Sequence, residues 1–410
     1  MKPRIIELSN GLRIVHKYIP YTRTVHCGYI INTGSRDDKR EEIGMAHFIE
    51  HMVFKGTVRR SNLDILNYLD SLGGDLNAYT TKEKTCLYAS LSAEHFERAI
   101  DLLTDITFFS TFPVEEIGKE QDVIAEEIDM YRDAPDEAIF EDFDEKVFPG
   151  HDLGSPILGT KESIRAFTQE KVRSHIGFSY TANNIVCSIV GNVTEKQVDQ
   201  AINKYVRILN LPDSHLSRNA PGGQTEQVSM VPISTQQAHE IIGGRAFARG
   251  SEEHLSFFLF NNYMGGPAMN SRLNLNIRER YGLTYSINSF FNPFHDSGIW
   301  GIYYACEPKN LKRVRDLVIQ EYQDAIKEGF DPVRLAQCKR QLIGQMTLSY
   351  ENLLTQMLGM GKDLLDYGRI ISFSEFTGQI EALTEQQVIG TAHKAWKGEE
   401  LTRITYQKAV

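Results

Sequence analysis

The feature that most constrains this chain is an internal echo. A strand-like run over 85–91 leads into Phe96-Glu97-Arg98-Ala99-Ile100-Asp101-Leu102-Leu103, then Phe112-Pro113, then a helical pattern from about 114 to 131. A second strand-like run over 301–306 leads into Leu311-Lys312-Arg313-Val314-Arg315-Asp316-Leu317-Val318, then Phe330-Asp331-Pro332, then a helical pattern from about 333 to 350. The order of elements recurs at roughly 215 to 218 residues, the self-similarity that duplication leaves. A chain of 410 residues also exceeds what one hydrophobic core organises. Two related domains are expected.

Apolar periodicity lapses between 211 and 227, in Pro212-Asp213-Ser214, Ser217-Arg218-Asn219 and Pro221-Gly222-Gly223. The expected division is a first domain at 1–212, a linker at 213–227 and a second domain at 228–410. Each half mixes alternating strand patterns (25–31, 85–91 and 185–190 in the first) with amphipathic helices. One of these spans 61–72, where Ser61 and Asp64 stand at capping-box spacing. The expected class is α+β: two homologous domains, each a mainly antiparallel sheet covered by helices on one face.

Hydrophobic residues at 41% and charged residues at 24% are those of an ordinary soluble globular chain. The formal charge of -10 speaks against a nucleic-acid partner, whose affinity would need a basic face. Cys27, Cys86, Cys187, Cys306 and Cys338 are odd in number and scattered, so neither a disulfide framework nor a thiolate zinc site is expected. That usage fits a reducing compartment. Lys2, Arg4 and Glu7 interrupt the N-terminus before an apolar signal develops, and no later stretch is long enough to span a bilayer. The expected location is cytoplasmic, with no membrane partner.

The chemistry concentrates in Gly44-Met45-Ala46-His47-Phe48-Ile49-Glu50-His51-Met52. His47 and His51 are four residues apart and so leave a helix on one face, a spacing that grips one metal ion. Neutral imidazoles suit zinc, and Glu50 lies beside the pair, where water on the ion would sit. This is the H-x-x-E-H arrangement. The same residues also fit partly buried histidines on an ordinary amphipathic helix, so a third ligand is needed. Glu120 and Glu127 are seven residues apart and fall on nearly the same helical face, with Glu126 about 100° from Glu127. Glu127 is taken as the ligand, and Glu120 as a carboxylate that orients a histidine or the water.

The run His47-Phe48-Ile49-Glu50-His51-Met52-Val53-Phe54-Lys55-Gly56-Thr57, followed by Gly73-Gly74-Asp75-Leu76-Asn77-Ala78-Tyr79-Thr80, resembles the pitrilysin and mitochondrial-processing-peptidase family of inverted-motif zinc peptidases. Further matches are Pro156-Ile157-Leu158-Gly159-Thr160, the stretch 184–191 and Ser271-Arg272-Leu273. In that family the third ligand is a glutamate about 76 residues beyond the second histidine, which falls on Glu127. The chain is similar to the short, two-domain members.

The second half lacks the metal motif: 255–264 holds no histidine or glutamate, and Gln345 aligns with Glu127. It does contain Arg278-Glu279-Arg280-Tyr281-Gly282-Leu283-Thr284-Tyr285, similar to the family's arginine–tyrosine pair. The resemblance implies that Arg278 and Tyr285 contact the substrate carbonyl and the tetrahedral intermediate, where preorganised donors stabilise oxyanion charge. It also implies that Asn77 and Ala78 pair with an extended substrate by strand addition.

The expectation is therefore a zinc metalloendopeptidase with Zn2+ on His47, His51 and Glu127 and with Glu50 as general base. The resemblance further implies two halves that enclose a chamber, so the expected form is a homodimer with composite active sites that hydrolyses short or unfolded peptides. The alternative is a non-catalytic partner subunit of a processing-peptidase-like complex. Intact His47, Glu50, His51 and Glu127 favour the peptidase.

Overall fold

The structure is a computed structural model that describes residues 2–212, 216–223, 227–396 and 401–408. They form two compact units. The first takes the residues up to Ile128, then Ser155–Arg218 and Leu348–Ile371; the second takes Asp129–Gly154, Asn219–Thr347 and the residues from Ser372 onward. Each unit thus combines most of one half with a segment of the other. The two exchanged segments carry helices Pro135–Val147 and Leu353–Tyr367, whose starts differ by roughly 218 residues, the repeat's own period. A contiguous division at 213–227 leaves this exchange out.

The first unit is built on strands β1 (Arg4–Glu7), β2 (Arg13–Tyr18), β3 (Thr24–Ile31), β4 (Asp75–Thr80), β5 (Thr85–Ser92) and β6 (Ile185–Gly191). Their order is β1-β2-β6-β3-β5-β4, antiparallel except for the β2–β6 pair. Successive side chains leave a strand on opposite faces, and Tyr29 and Ile30 show what covers each. The Tyr29 hydroxyl lies 2.8 Å from Thr104 Oγ1 on helix Phe96–Phe108. Ile30 packs instead with Val15, Val186 and Val190 against Met357, Met360 and Leu364 of the exchanged helix. On that face Ser188 Oγ donates to the Met357 carbonyl at 2.6 Å. Because both faces are covered, every residue of β6 is buried.

The second unit repeats the plan. Strands β7 (Val228–Pro232), β8 (Ala238–Ala246), β9 (Thr284–Pro293), β10 (Gly298–Cys306) and β11 (Thr402–Gln407) run in the order β7-β11-β8-β10-β9, with β7–β11 the parallel pair. Trp300, Ile302 and Tyr304 face Phe257 and Phe260 of helix His254–Gly265 and Val318 and Tyr322 of helix Leu311–Glu328. The alternate residues Ile299, Tyr303 and Ala305 face Ile139 and Phe143 of helix Pro135–Val147. Each fully buried side chain of this size contributes roughly 1.5–3 kcal/mol. Ile139, Phe143 and Val147, all from one helix, therefore weigh against a whole domain's margin of about 5–15 kcal/mol.

Within the expected linker, residues 213–215 and 224–226 lie outside the described residues. Its Arg218 is tied to the first unit: the guanidinium meets Asp37 at 2.7 and 2.8 Å and donates to the carbonyls of Asn32 and Glu83, each at 3.1 Å. Both partners of the ion pair are buried, at 8% and 1% side-chain exposure. All five cysteines are free thiols. Among the described residues, no helix is long and apolar enough to cross a membrane.

Candidate active site

The histidine motif occupies helix α1 (Met45–Met52). Gly44 precedes it at φ 94°, in the left-handed region. A side chain there would place Cβ 2.7 Å from the Leu158 carbonyl and 2.8 Å from Gly159 Cα, so only glycine fits. The buried Asp38 carboxylate accepts from the amides of Gly44 at 2.8 Å and Ala46 at 3.0 Å, satisfying donors that the first turn leaves free. Phe48, Ile49 and Met52 are buried, which fixes how α1 is rotated.

Helix α2 (Asn62–Asp70) opens with the Ser61–Asp64 capping box, and helix α3 (Phe96–Phe108) lies on the sheet. Helix α4 (Val114–Arg132) brings Glu127 Oε2 to 3.6 Å from His51 Nε2 and 3.9 Å from His47 Nε2. One ligand atom from each of His47, His51 and Glu127 lies within 4.8 Å of the others. Glu120, two turns earlier, stands 2.7 Å from His51 Nδ1 and 2.5 Å from Lys55 Nζ. Its carboxylate accepts from Nδ1–H, which leaves the Nε2 lone pair directed at the cluster. Two imidazoles and one carboxylate, with one imidazole's tautomer set from behind, match the kind of donor set that catalytic zinc takes.

The titration behaviour follows from the packing. Burial, then His51, pulls His47 down to about 3, keeping it a neutral donor. Burial pulls His51 down as well, but the Glu120 hydrogen bond and the charges of Glu120, Glu127 and Glu50 outweigh it and leave the ring raised. Burial raises Glu120, yet His51 and Lys55 bring it below the ordinary carboxylate range. Burial raises Glu50, against a hydrogen bond from Thr80.

Glu50, on α1 between the histidines, receives the Thr80 hydroxyl at 2.5 Å. Thr80 ends β4, the edge strand of its sheet, which is bonded on one side only, to β5. Asn77 and Ala78 therefore sit on a free edge, with Asn77 exposed and its Oδ1 accepting from the Ala78 amide at 2.8 Å. A pocket opens beside Glu50 and His51 between β4 and α2, walled by Phe54, Leu66 and Leu76 with Asp70 and Asn77.

The family model described as Insulinase (Peptidase family M16) matches residues 13–161, and the model described as the Peptidase M16 inactive domain matches residues 166–342. The chain belongs to peptidase family M16. A protein of Bacillus subtilis named as an uncharacterized zinc protease, YmxG, is 34% identical over 386 residues, 94% of each chain. A protein of Mycobacterium leprae, likewise named as an uncharacterized zinc protease, is 31% identical over 391 residues, 94% of this chain and 88% of its own. Two solved structures share the fold. A protease from Helicobacter pylori aligns with TM-score 0.92 at 17% identity over 99% of both chains. A protein from Pseudomonas fluorescens, described as a peptidase M16 inactive domain, aligns with TM-score 0.91 at 18% identity over 100% of this chain and 99% of its own.

In this M16 chain the metal-type cluster belongs to the first unit. The second unit's counterpart of α1, helix His254–Gly265, has one histidine at its first position and no acid. The second unit does hold Arg278 and Tyr285 near each other, the guanidinium carbon 5.8 Å from the ring centroid. Arg278 lies on a widened, π-helical turn, Asn274–Glu279, and Tyr285 projects from edge strand β9 at 80% exposure. The sequence reading assigned no role to Asp38, Lys55 or Thr80. Lys55 and Thr80 stand inside the stretches that carry the family resemblance, so their place was signalled, but their partners lie far along the chain.

Proposed function

We propose that this chain is a zinc-dependent endopeptidase acting on short or unfolded peptides. The observation that carries the proposal is the convergence of His47, His51 and Glu127 within 4.8 Å, with Glu50 held at the same place by Thr80. His47, His51 and Glu127 would hold the ion, and Glu120 keeps His51 in the ligating tautomer. Bound there, zinc supplies Lewis acidity that lowers the pKa of water and polarises a carbonyl. Glu50 takes the proton of the attacking water and hands it to the leaving amine. The substrate lies extended along the free edge of β4 beside Asn77 and Ala78, exchanging backbone hydrogen bonds with it. Arg278 and Tyr285 donate to the oxyanion of the tetrahedral intermediate.

Because one chain carries both the metal motif and the arginine–tyrosine pair, we assign the working enzyme to a homodimer. Its two copies enclose a chamber, and each supplies the pair to the other's metal site. Size exclusion by that chamber, rather than a strict side-chain code, selects the substrates.

Metal analysis combined with cleavage of a quenched fluorogenic peptide tests the reading. One zinc per chain is expected, with turnover that a chelator abolishes and zinc restores. Glu50→Gln should keep the metal and lose roughly 10²–10⁴-fold in kcat. Zinc bound in full without any cleavage would overturn the enzymatic reading and leave a peptide-binding role.

A further inference from the structure

We propose that Asn274 is a positioning residue for Arg278. The inference deepens the function proposed above and rests on Arg278 acting there as an oxyanion donor.

A guanidinium on a long, half-exposed side chain explores many rotamers, and each must be given up before it can donate in a fixed direction. In this chain the choice is largely made beforehand. Arg278 Nη1 donates to Asn274 Oδ1 at 3.2 Å. The Asn274 side chain is itself fixed, buried at 6% exposure, with Nδ2 donating to the Met269 carbonyl at 2.5 Å. With the amide nitrogen engaged there, the oxygen is the atom left to face the guanidinium. On its other side, the guanidinium lies over the exposed ring of Tyr285. Arg278 is held between a buried acceptor and an aromatic face, leaving its other N–H groups for a ligand.

The turn that carries both residues is anchored as well. Leu273 and Ile277 are buried in the core. Asn276 Nδ2 and Arg272 Nε both donate to Glu321 Oε2, at 2.7 and 2.8 Å. Arg272 reaches further, to Glu328 at 2.7 and 3.1 Å and to the Tyr263 hydroxyl at 3.1 Å. Glu321 and Glu328 are seven residues apart on helix Leu311–Glu328, so they share one face of it. A widened turn with wide backbone spacing is otherwise an unstable element. Here its side chains lock it to a neighbouring helix, and Asn274 passes that rigidity to the functional guanidinium.

The test is a double-mutant cycle in the full-length, zinc-loaded dimer: Asn274→Ala, Arg278→Ala and the double variant. Cleavage of a fluorogenic peptide gives kcat and KM, and thermal unfolding is followed in parallel. Asn274→Ala is expected to lower kcat roughly tenfold with KM within about twofold, because geometry rather than substrate affinity is lost. In the Arg278→Ala background the same change should cost nothing further. If Asn274→Ala lowers kcat by the same factor with or without Arg278, the residue is merely structural and the proposal is overturned. If Arg278→Ala impairs the enzyme while Asn274→Ala matches the unmutated chain, the positioning role alone is overturned. Full activity of Arg278→Ala overturns both this proposal and the oxyanion assignment. Should Asn274→Ala be unfolded at the assay temperature, Glu321→Gln, which loosens the turn from outside, goes through the same cycle and is read by the same outcomes.

Discussion

The hydroxyl of Thr80 donates to Glu50 Oε2 at 2.5 Å, joining the last residue of an edge strand to the acid of the histidine motif. This bond orients a carboxylate that burial would otherwise leave poorly solvated. Replacing Thr80 by valine keeps the shape and removes the donor. We expect kcat to fall about tenfold with metal content unchanged, since preorganisation of a general base is lost. Serine at the same position should restore most of the rate. Steady-state kinetics with zinc quantification checks both.

Glu120 joins His51 Nδ1 to Lys55 and has no direct place among the three clustered ligand atoms. Its loss should therefore show in metal retention. Glu120→Gln is expected to weaken zinc binding about 10–100-fold, the usual effect of removing a carboxylate behind a ligating histidine. Competition against a chelator of known affinity measures it. An unchanged zinc affinity would mean that Glu120 serves only the Lys55 ion pair.

The exchanged helices make each unit depend on the distant half of the chain. A fragment of residues 1–212 lacks helix Leu353–Tyr367, and with it Met357, Met360 and Leu364 over Val15, Ile30, Val186 and Val190. That fragment should expose an apolar sheet face, bind a hydrophobic dye and unfold without a cooperative transition. A milder version is Gly361→Val. A Cβ at Gly361 would stand 2.5 Å from Ile30 Cδ1 and 3.3 Å from Ser188 Cβ, so about 1–3 kcal/mol of destabilisation is expected from overpacking. Denaturant midpoints report it.

The exchange also marks where sequence reasoning stopped. The duplication was legible because helix and strand periods are local, and so were His47, Glu50 and His51, whose common face follows from helical spacing alone. Period alone never says which sheet a helix will cover. Pro135–Val147 and Leu353–Tyr367 went unread, since each has only the pattern of an ordinary amphipathic helix, and the clue lay instead in the strands they cover. β6 and β10 are buried at every position, and such unbroken apolar runs indicate a sheet covered on both faces. Arg218 was hidden differently, since a lone arginine among turn formers gives no sign that Asp37, far along the chain, will bury it. Thr80 was unassigned for the same reason, because it acts through one distant partner, Glu50, whereas Asp38 caps α1 from six and eight residues before Gly44 and Ala46, outside the spacing of a standard capping motif.

Acid stability has an identifiable contributor in Asp101 on α3. Its carboxylate accepts from Arg59 Nη2 at 2.8 Å and the Tyr68 hydroxyl at 2.9 Å, and it also pairs with Arg60. Burial alone would raise this acid, but Arg59, Tyr68 and Arg60 outweigh it and leave it below its ordinary value. A depressed carboxyl stabilises the fold above the unfolded-state pKa, about 3.9. That contribution fades as pH falls through the lower, folded value. Asp101→Asn should therefore cost about 1–3 kcal/mol near neutrality. At pH 3, below the unfolded-state value, the gap to the parent chain should be narrower, because unfolding of the parent then takes up a proton at Asp101. Urea titrations at the two pH values measure this difference.

The dimer assignment has a test that no single variant provides. Glu50→Gln disables the base in the first unit, and Arg278→Ala removes the oxyanion donor in the second, so each homodimer is expected to be nearly inactive. If the arginine of one copy completes the metal site of the other, a mixed dimer contains one site with both defects and one with neither. Random exchange of equal amounts makes about half of all dimers mixed, each with one intact site of two, so roughly a quarter of full activity should return. If each chain instead completes its own site, every site keeps one defect and mixing restores nothing. Native mass spectrometry of the mixture confirms that subunits have exchanged. With exchange complete, the recovered rate alone separates the two arrangements.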